Sequence, residues 1–183
     1  GDEVVIEDIF LSSPDLALAG SALRKKDENF SLNFEKVALK DVFDLKLSKK
    51  NDGALDITGG ELNLQEFLKL PLVTSPSEKS APLSIYLDEL KLYEKQGITR
   101  FNAALDSTGK GEFSGSLNDL ASFSGKLVRV RSGFNMRAVS NNAGSFIRAL
   151  GAAKAADGGT AQLNLSHLES SPGMEGKLKF KNV

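Results

Sequence analysis

From Phe43 to Leu68 the chain reads FDLKLSKKNDGALDITGGELNLQEFL, apolar and polar residues alternating and a turn-forming pair standing where the rhythm breaks. Successive side chains of a β-strand point to opposite faces, so this two-residue period specifies strands with one apolar and one polar face. The same period recurs in Phe30, Leu32 and Phe34, in Leu83, Ile85 and Leu87, in Leu163 and Leu165, and in Leu178 and Phe180. Asp52-Gly53 lies between two such runs, and Asp-Gly supplies the positive φ that a tight hairpin requires. Phe43–Ser48 and Ala54–Thr58 are therefore expected to pair antiparallel. Gly59-Gly60, Gly109–Gly111, Asp157–Gly159 and Pro172-Gly173 read as further turns. About a dozen strands joined by short turns result. The expected fold is mainly β: a curved antiparallel meander sheet, either an open groove or a partly closed barrel.

Two segments depart from the rhythm. PLVTSPSEKSAP, within 71–82, holds three of the five prolines and reads as a loop between an N-terminal β-meander lobe (1–70) and a C-terminal β lobe (83–183) of one continuous sheet. SNNAGSFIRALGAAKAA (140–156) loses the two-residue period, and Phe146, Ile147 and Leu150 recur at helical spacing. One helix is expected there, capped by Ser140 or Asn141, serving as a crossover or as a plug over the end of the sheet.

Composition limits the chemistry. With 40% apolar and 26% charged residues the chain is that of an ordered globular protein. It has no cysteine, hence no disulfide or thiolate site, and His167 is its sole histidine, which rules out a His-rich metal centre. GKGEFSG (Gly109–Gly115) lacks the spacing of a phosphate-binding P-loop. No metal, no cofactor and no catalytic residue is expected, and the chain reads as a non-enzyme. Residues 1–122 carry 14 Lys and Arg against 21 Asp and Glu, residues 123–183 carry 9 against 3, so a cationic end follows an acidic body. With no Trp and two Tyr, this charge lacks the stacking residues of a nucleic-acid surface, and no nucleic-acid partner is expected. No apolar run reaches the ~20 residues of a membrane-spanning helix. Gly1 at the start is expected of a processed chain or of a piece of a longer one.

NNAGSFIRALG (Asn141–Gly151), DGGTAQLNLSHLE (Asp157–Glu169) and GKLKFKNV (Gly176–Val183), in this order, resemble the AsmA-like family, in particular its TamB and YhdP branch. The resemblance rests on Ala143-Gly144 with Leu150-Gly151, on Gly158-Gly159 before Leu163 and Leu165, and on Gly176 before Leu178 and Phe180. The strand units of Phe30–Leu68 extend it. Asn142 departs from it, standing where many relatives have an acidic residue. The resemblance implies the periplasmic segment of an inner-membrane-anchored protein of a Gram-negative bacterium, with the anchor outside this chain. It also implies phospholipid or another acyl-chain lipid as partner, together with envelope proteins, in transport between the two membranes and outer-membrane homeostasis.

On that reading the apolar strand phase lines a groove for acyl chains. The lining candidates are Phe30, Leu32, Phe34, Phe43, Leu45, Leu47, Leu55, Ile57, Leu62, Leu64, Leu83, Ile85 and Leu87. Arg129 and Arg131, in strand phase with Leu127, are candidates for headgroup contact, because guanidinium groups bind phosphate bidentately. The alternative is a non-enzymatic envelope scaffold in which the same residues pack a closed β core.

Overall fold

In the computed structural model the described residues are 3–25, 29–70, 81–93, 96–130, 133–149, 154–168 and 174–183. They form twelve strands in one sheet whose spatial order is the chain order: β1 (Glu3–Ser12), β2 (Leu16–Lys25), β3 (Ser31–Leu39), β4 (Phe43–Lys49), β5 (Leu55–Asn63), β6 (Leu83–Tyr93), β7 (Gln96–Leu105), β8 (Gly111–Leu117), β9 (Ala121–Val130), β10 (Gly133–Ser140), β11 (Thr160–Leu168) and β12 (Met174–Lys181). The sheet is open and curved, its two edges being β1 and β12. Two short helices, α1 (Leu64–Phe67) and α2 (Ala143–Ala149), accompany it.

Local chemistry explains two of the turns. Between β4 and β5 Gly53 takes φ 89°, and its N–H donates to the Lys50 carbonyl at 2.9 Å. The Asp52 carboxylate accepts from the Ala54 N–H at 2.9 Å, an Asx turn. Between β7 and β8 the Asp106 carboxylate accepts from Thr108 N–H (2.7 Å), Thr108 Oγ1 (2.6 Å) and Lys110 N–H (3.1 Å). Those three donors, the Thr108 hydroxyl foremost, hold its pKa below the usual carboxylate value.

Gly59-Gly60 is a bulge rather than a turn. Both glycines have φ near 70°, and β5 runs through them. Asp44 faces Glu61 and Lys46 faces Thr58, so β5 holds one residue more than β4 between these rungs. At Gly60 a methyl group would run into the Asp44 carbonyl, so only glycine fits. Further register shifts follow across the sheet: between Ile6 and Ile9 where Asp8 has φ 55°, between Phe34 and Val37, and between Thr99 and Asn102 where Arg100 has φ 51°. Bulges bend a strand and increase its twist, so this series is a local source of curvature.

The β5–β6 ladder is parallel, the exception among eleven otherwise antiparallel pairings. A parallel neighbour requires the chain to return along the full strand length. Residues 64–82 make this return: it opens with α1, capped by Asn63 Oδ1 accepting from Glu66 N–H, and ends where Leu55 N–H donates to the Pro82 carbonyl at 2.9 Å. The strands before and after the proline-rich segment are thus neighbours in a single sheet.

The second helix is shorter than the 140–156 expected from sequence. Asn142, not Ser140 or Asn141, caps it: Asn142 Oδ1 accepts from Ser145 N–H at 2.8 Å, while the Ser140 hydroxyl donates to the Ser122 carbonyl at 2.7 Å. Since β10 and β11 are antiparallel neighbours, α2 is not a crossover. Pro172-Gly173, Leu150 and Gly151 lie outside the described residues.

Candidate functional site

Residues paired across neighbouring strands share a face of the sheet, and here the apolar ones align into lateral rows. One row crosses all twelve strands: Ile9, Gly20, Phe34, Leu47, Ile57, Ile85, Ala103, Phe113, Gly125, Ala138, Leu163 and Leu178. No polar side chain interrupts it. Beside it a second row carries Leu32, Leu55, Leu83, Leu105, Leu127, Met136 and Leu165, with Lys49 as its one charge. On its other side lie Leu18, Val37 and Leu45, then Leu16, Leu39, Phe43, Leu62, Leu90, Ile98, Leu117 and Ala121. Ala121, Phe123, Gly125 and Leu127 alternate regularly along β9, so the rows share one face.

The glycines and alanines of the long row make room for larger neighbours. The Phe34 ring lies against Gly20 and the Phe113 ring against Gly125, where a methyl would strike the ring and the Arg137 carbonyl. Phe113 and Phe123 approach at 6.3 Å between ring centroids with a 59° tilt, an edge-on aromatic contact between β8 and β9.

Among the described residues little covers this face: the main contacts are between sheet neighbours, and the helices add α1 against β5 and β6 and α2 against β9 and β11. Most of the row residues are accordingly half-buried, and Leu87, at 1% exposure, is the one large side chain among the described residues that is fully buried. Among the described residues a buried cluster forms where Leu117, Ala121 and Ala149 of α2 meet with Ile98, Leu92, Phe123 and Phe146 packed around them. Helix α2 is fastened there by Asn118, whose Nδ2 donates to the Ala149 carbonyl at 2.9 Å, and by Arg148, whose guanidinium donates to Ser145 Oγ and to the Ala156 carbonyl. Helix α2 thus packs against β9 and β11 at these strand ends.

The opposite face is a solvated lattice of paired charges. Lys36–Asp44 (3.1 Å), Lys50–Asp56 (2.9 Å) and Lys126–Glu112 (3.0 Å) bridge neighbouring strands. Hydrogen bonding to Lys50 lowers the Asp56 pKa, and the same bond raises that of Lys50; Lys91 is raised likewise, through Glu61. A shallow groove of about 880 Å³ is bordered by Asp56, Ser84, Asn102, Glu112, Lys126 and Arg137 of this face, and its lining also includes Ile57, Ile85, Ala103, Phe113 and Gly125 of the long row. No group of three or more metal-ligating side chains occurs among the described residues.

Of the thirteen lining candidates, eleven fall in the rows or beside them on the same strand phase. Leu87 does so while fully buried, opposite Phe101. The two others do not: Phe30 precedes β3, is exposed, and carries the Arg24 guanidinium 5.5 Å above its ring, and Leu64 starts α1 because the Asn63 cap ends the strand. Arg129 keeps the phase of Leu127 near the end of β9, its stem against Gly109 of the β7–β8 turn. Arg131 lies outside the described residues. Sequence reasoning missed Ala103, Phe113, Gly125 and Ala138, because small residues on the inward phase dilute the apolar signal there.

The class is thus defined by its fold: a single-layer, open β-meander with one apolar and one ion-paired face. Comparison with known proteins finds no match to a family model, to a curated protein or to a solved structure.

Proposed function

We propose that the apolar face shelters the acyl chains of phospholipid or a similar lipid, as part of an envelope protein of the AsmA-like kind, and that the protein carries lipid without catalysing a reaction. One observation carries this reading: an uninterrupted apolar row crosses twelve strands on a face that no second layer of described residues covers. At ~4.8 Å per strand the row runs about 50 Å. A 16-carbon chain in water costs on the order of 12 kcal/mol at ~0.8 kcal/mol per methylene, so a carrier across an aqueous gap needs a continuous apolar path. The rows supply such a path, and α2 packs beside it against β9 and β11. A closed β core, the alternative, would place a second layer over the same residues. Periplasmic location, and headgroup contact by Arg129 with Arg131 at the rim, belong to the same proposal and rest on the sequence resemblance and on the strand phase of Arg129.

Native mass spectrometry of the 183-residue chain, purified from a Gram-negative host without detergent, tests the proposal. The expected result is a protein population carrying phospholipid, and transfer of fluorescent phospholipid between vesicles faster than the spontaneous rate. A chain that emerges lipid-free and leaves the transfer rate unchanged overturns it.

A further inference from the structure

The two edges of the sheet carry opposite charge. Strand β1, EVVIEDIFLS, has three acidic residues and no basic one, and Glu7 and Asp8 are exposed at its bulge. Strand β12, MEGKLKFK, presents exposed Lys177, Lys179 and Lys181 beside a single acid. Their partners on β11 are Asn164, Gln162 and Thr160, so the sheet does not neutralise them. Neither these lysines nor Glu7 and Asp8 form an ion pair with a described residue. Both edges also leave apolar side chains in water: Ile6 is 46% exposed at one, Leu178 and Phe180 are 40% exposed at the other.

An edge strand holds a row of unpaired backbone donors and acceptors, and charges along it decide what can pair there. Two β12 edges repel one another, and so do two β1 edges. A β12 edge and a β1 edge attract. We infer that β12 of one copy of this chain pairs with β1 of a second copy, extending the sheet and joining the apolar rows of both. The contact is heterologous, since different surfaces of the two copies meet, and it therefore leaves one free edge of each kind and grows into short linear oligomers rather than closing as a dimer. The inference stands independently of lipid carriage.

Sedimentation velocity of the intact chain over a range of concentrations is the test, with two charge-reversed variants: Lys177→Glu/Lys179→Glu/Lys181→Glu and Glu7→Lys/Asp8→Lys. The parent is expected to form dimers and longer species whose association weakens at least about tenfold between low and high salt, as for a few exposed ion pairs together. Each variant alone is expected to lose that association. Mixed at low salt, the two restore attraction at both junctions, reversed β12 with reversed β1 and native β12 with native β1, and alternating oligomers like those of the parent are expected. A parent that stays monomeric at all concentrations overturns the inference, as do variants that still self-associate or a mixture that does not pair. Circular dichroism of each variant verifies that the sheet is intact.

Discussion

Replacing Ile57 with Asp separates an open apolar face from a closed core. Ile57 sits in the middle of the long row, between Leu47 and Ile85, and is half-buried. Full burial of an isoleucine is worth about 1.5–3 kcal/mol, so removing a half-buried one forfeits roughly 1–2 kcal/mol. The new carboxylate stays within reach of water on an uncovered face and adds about 1 kcal/mol, whereas beneath a second layer its desolvation would cost several. A total near 2–3 kcal/mol lies within the ~5–15 kcal/mol of a stable domain, so Ile57→Asp is expected to fold. In urea its midpoint should fall with an unchanged slope, because the surface exposed on unfolding is the same. Thr58→Asp, one residue away on the charged face, should change the unfolding free energy by less than about 0.5 kcal/mol. Lipid carried by Ile57→Asp, counted by native mass spectrometry, should drop to a small fraction of the parent's. Global unfolding of Ile57→Asp refutes the open face, and an undiminished lipid load in a folded variant refutes the acyl path.

Other perturbations test neighbouring parts of the argument. Gly125→Val places a side chain against the Phe113 ring and the Arg137 carbonyl, and should cost about 1–3 kcal/mol by thermal or urea unfolding. Asn142→Ala removes the α2 cap and should cost about 1 kcal/mol, with faster hydrogen exchange in 143–149 as the local readout. For Asp106, folding lowers the pKa, so its contribution to stability is present above the unfolded carboxylate value and is lost as pH falls through the folded one; an NMR titration should show the low value, and Thr108→Val should raise it. Arg129→Gln together with Arg131→Gln should weaken binding to anionic vesicles more at low salt than at high salt, and equal binding by parent and variant at low ionic strength rejects a headgroup role.

Alternation made the strands legible wherever Leu, Ile or Phe held the inward phase, as in Phe43, Leu45 and Leu47. It faded where packing demands the opposite: Gly125 and Gly20 are small because Phe113 and Phe34 occupy their space, a relation between strands that no local pattern contains. Gly59-Gly60 illustrates a second limit. Two glycines with positive φ suit a turn and a bulge alike, and what distinguishes them is the Asp44 carbonyl on the next strand. The helix was visible in the spacing of Phe146 and Ile147, but its cap was not, since Ser140, Asn141 and Asn142 are all capable acceptors and Ser140 is drawn away by the Ser122 carbonyl. The parallel ladder left no mark in the residues, because Leu55, Ile57, Leu83 and Ile85 alternate alike in either direction.

That ladder also bears on how the chain reaches its final form. Each antiparallel pair can zip outward from its own turn, since the first rungs join residues only a few positions apart. Between β5 and β6 there is no such starting point: Leu55 meets Leu83 and Asn63 meets Lys91, so the first rung formed must close a loop as long as the last. The meanders β1–β5 and β6–β12 can therefore assemble early and separately, and the parallel seam joins them last.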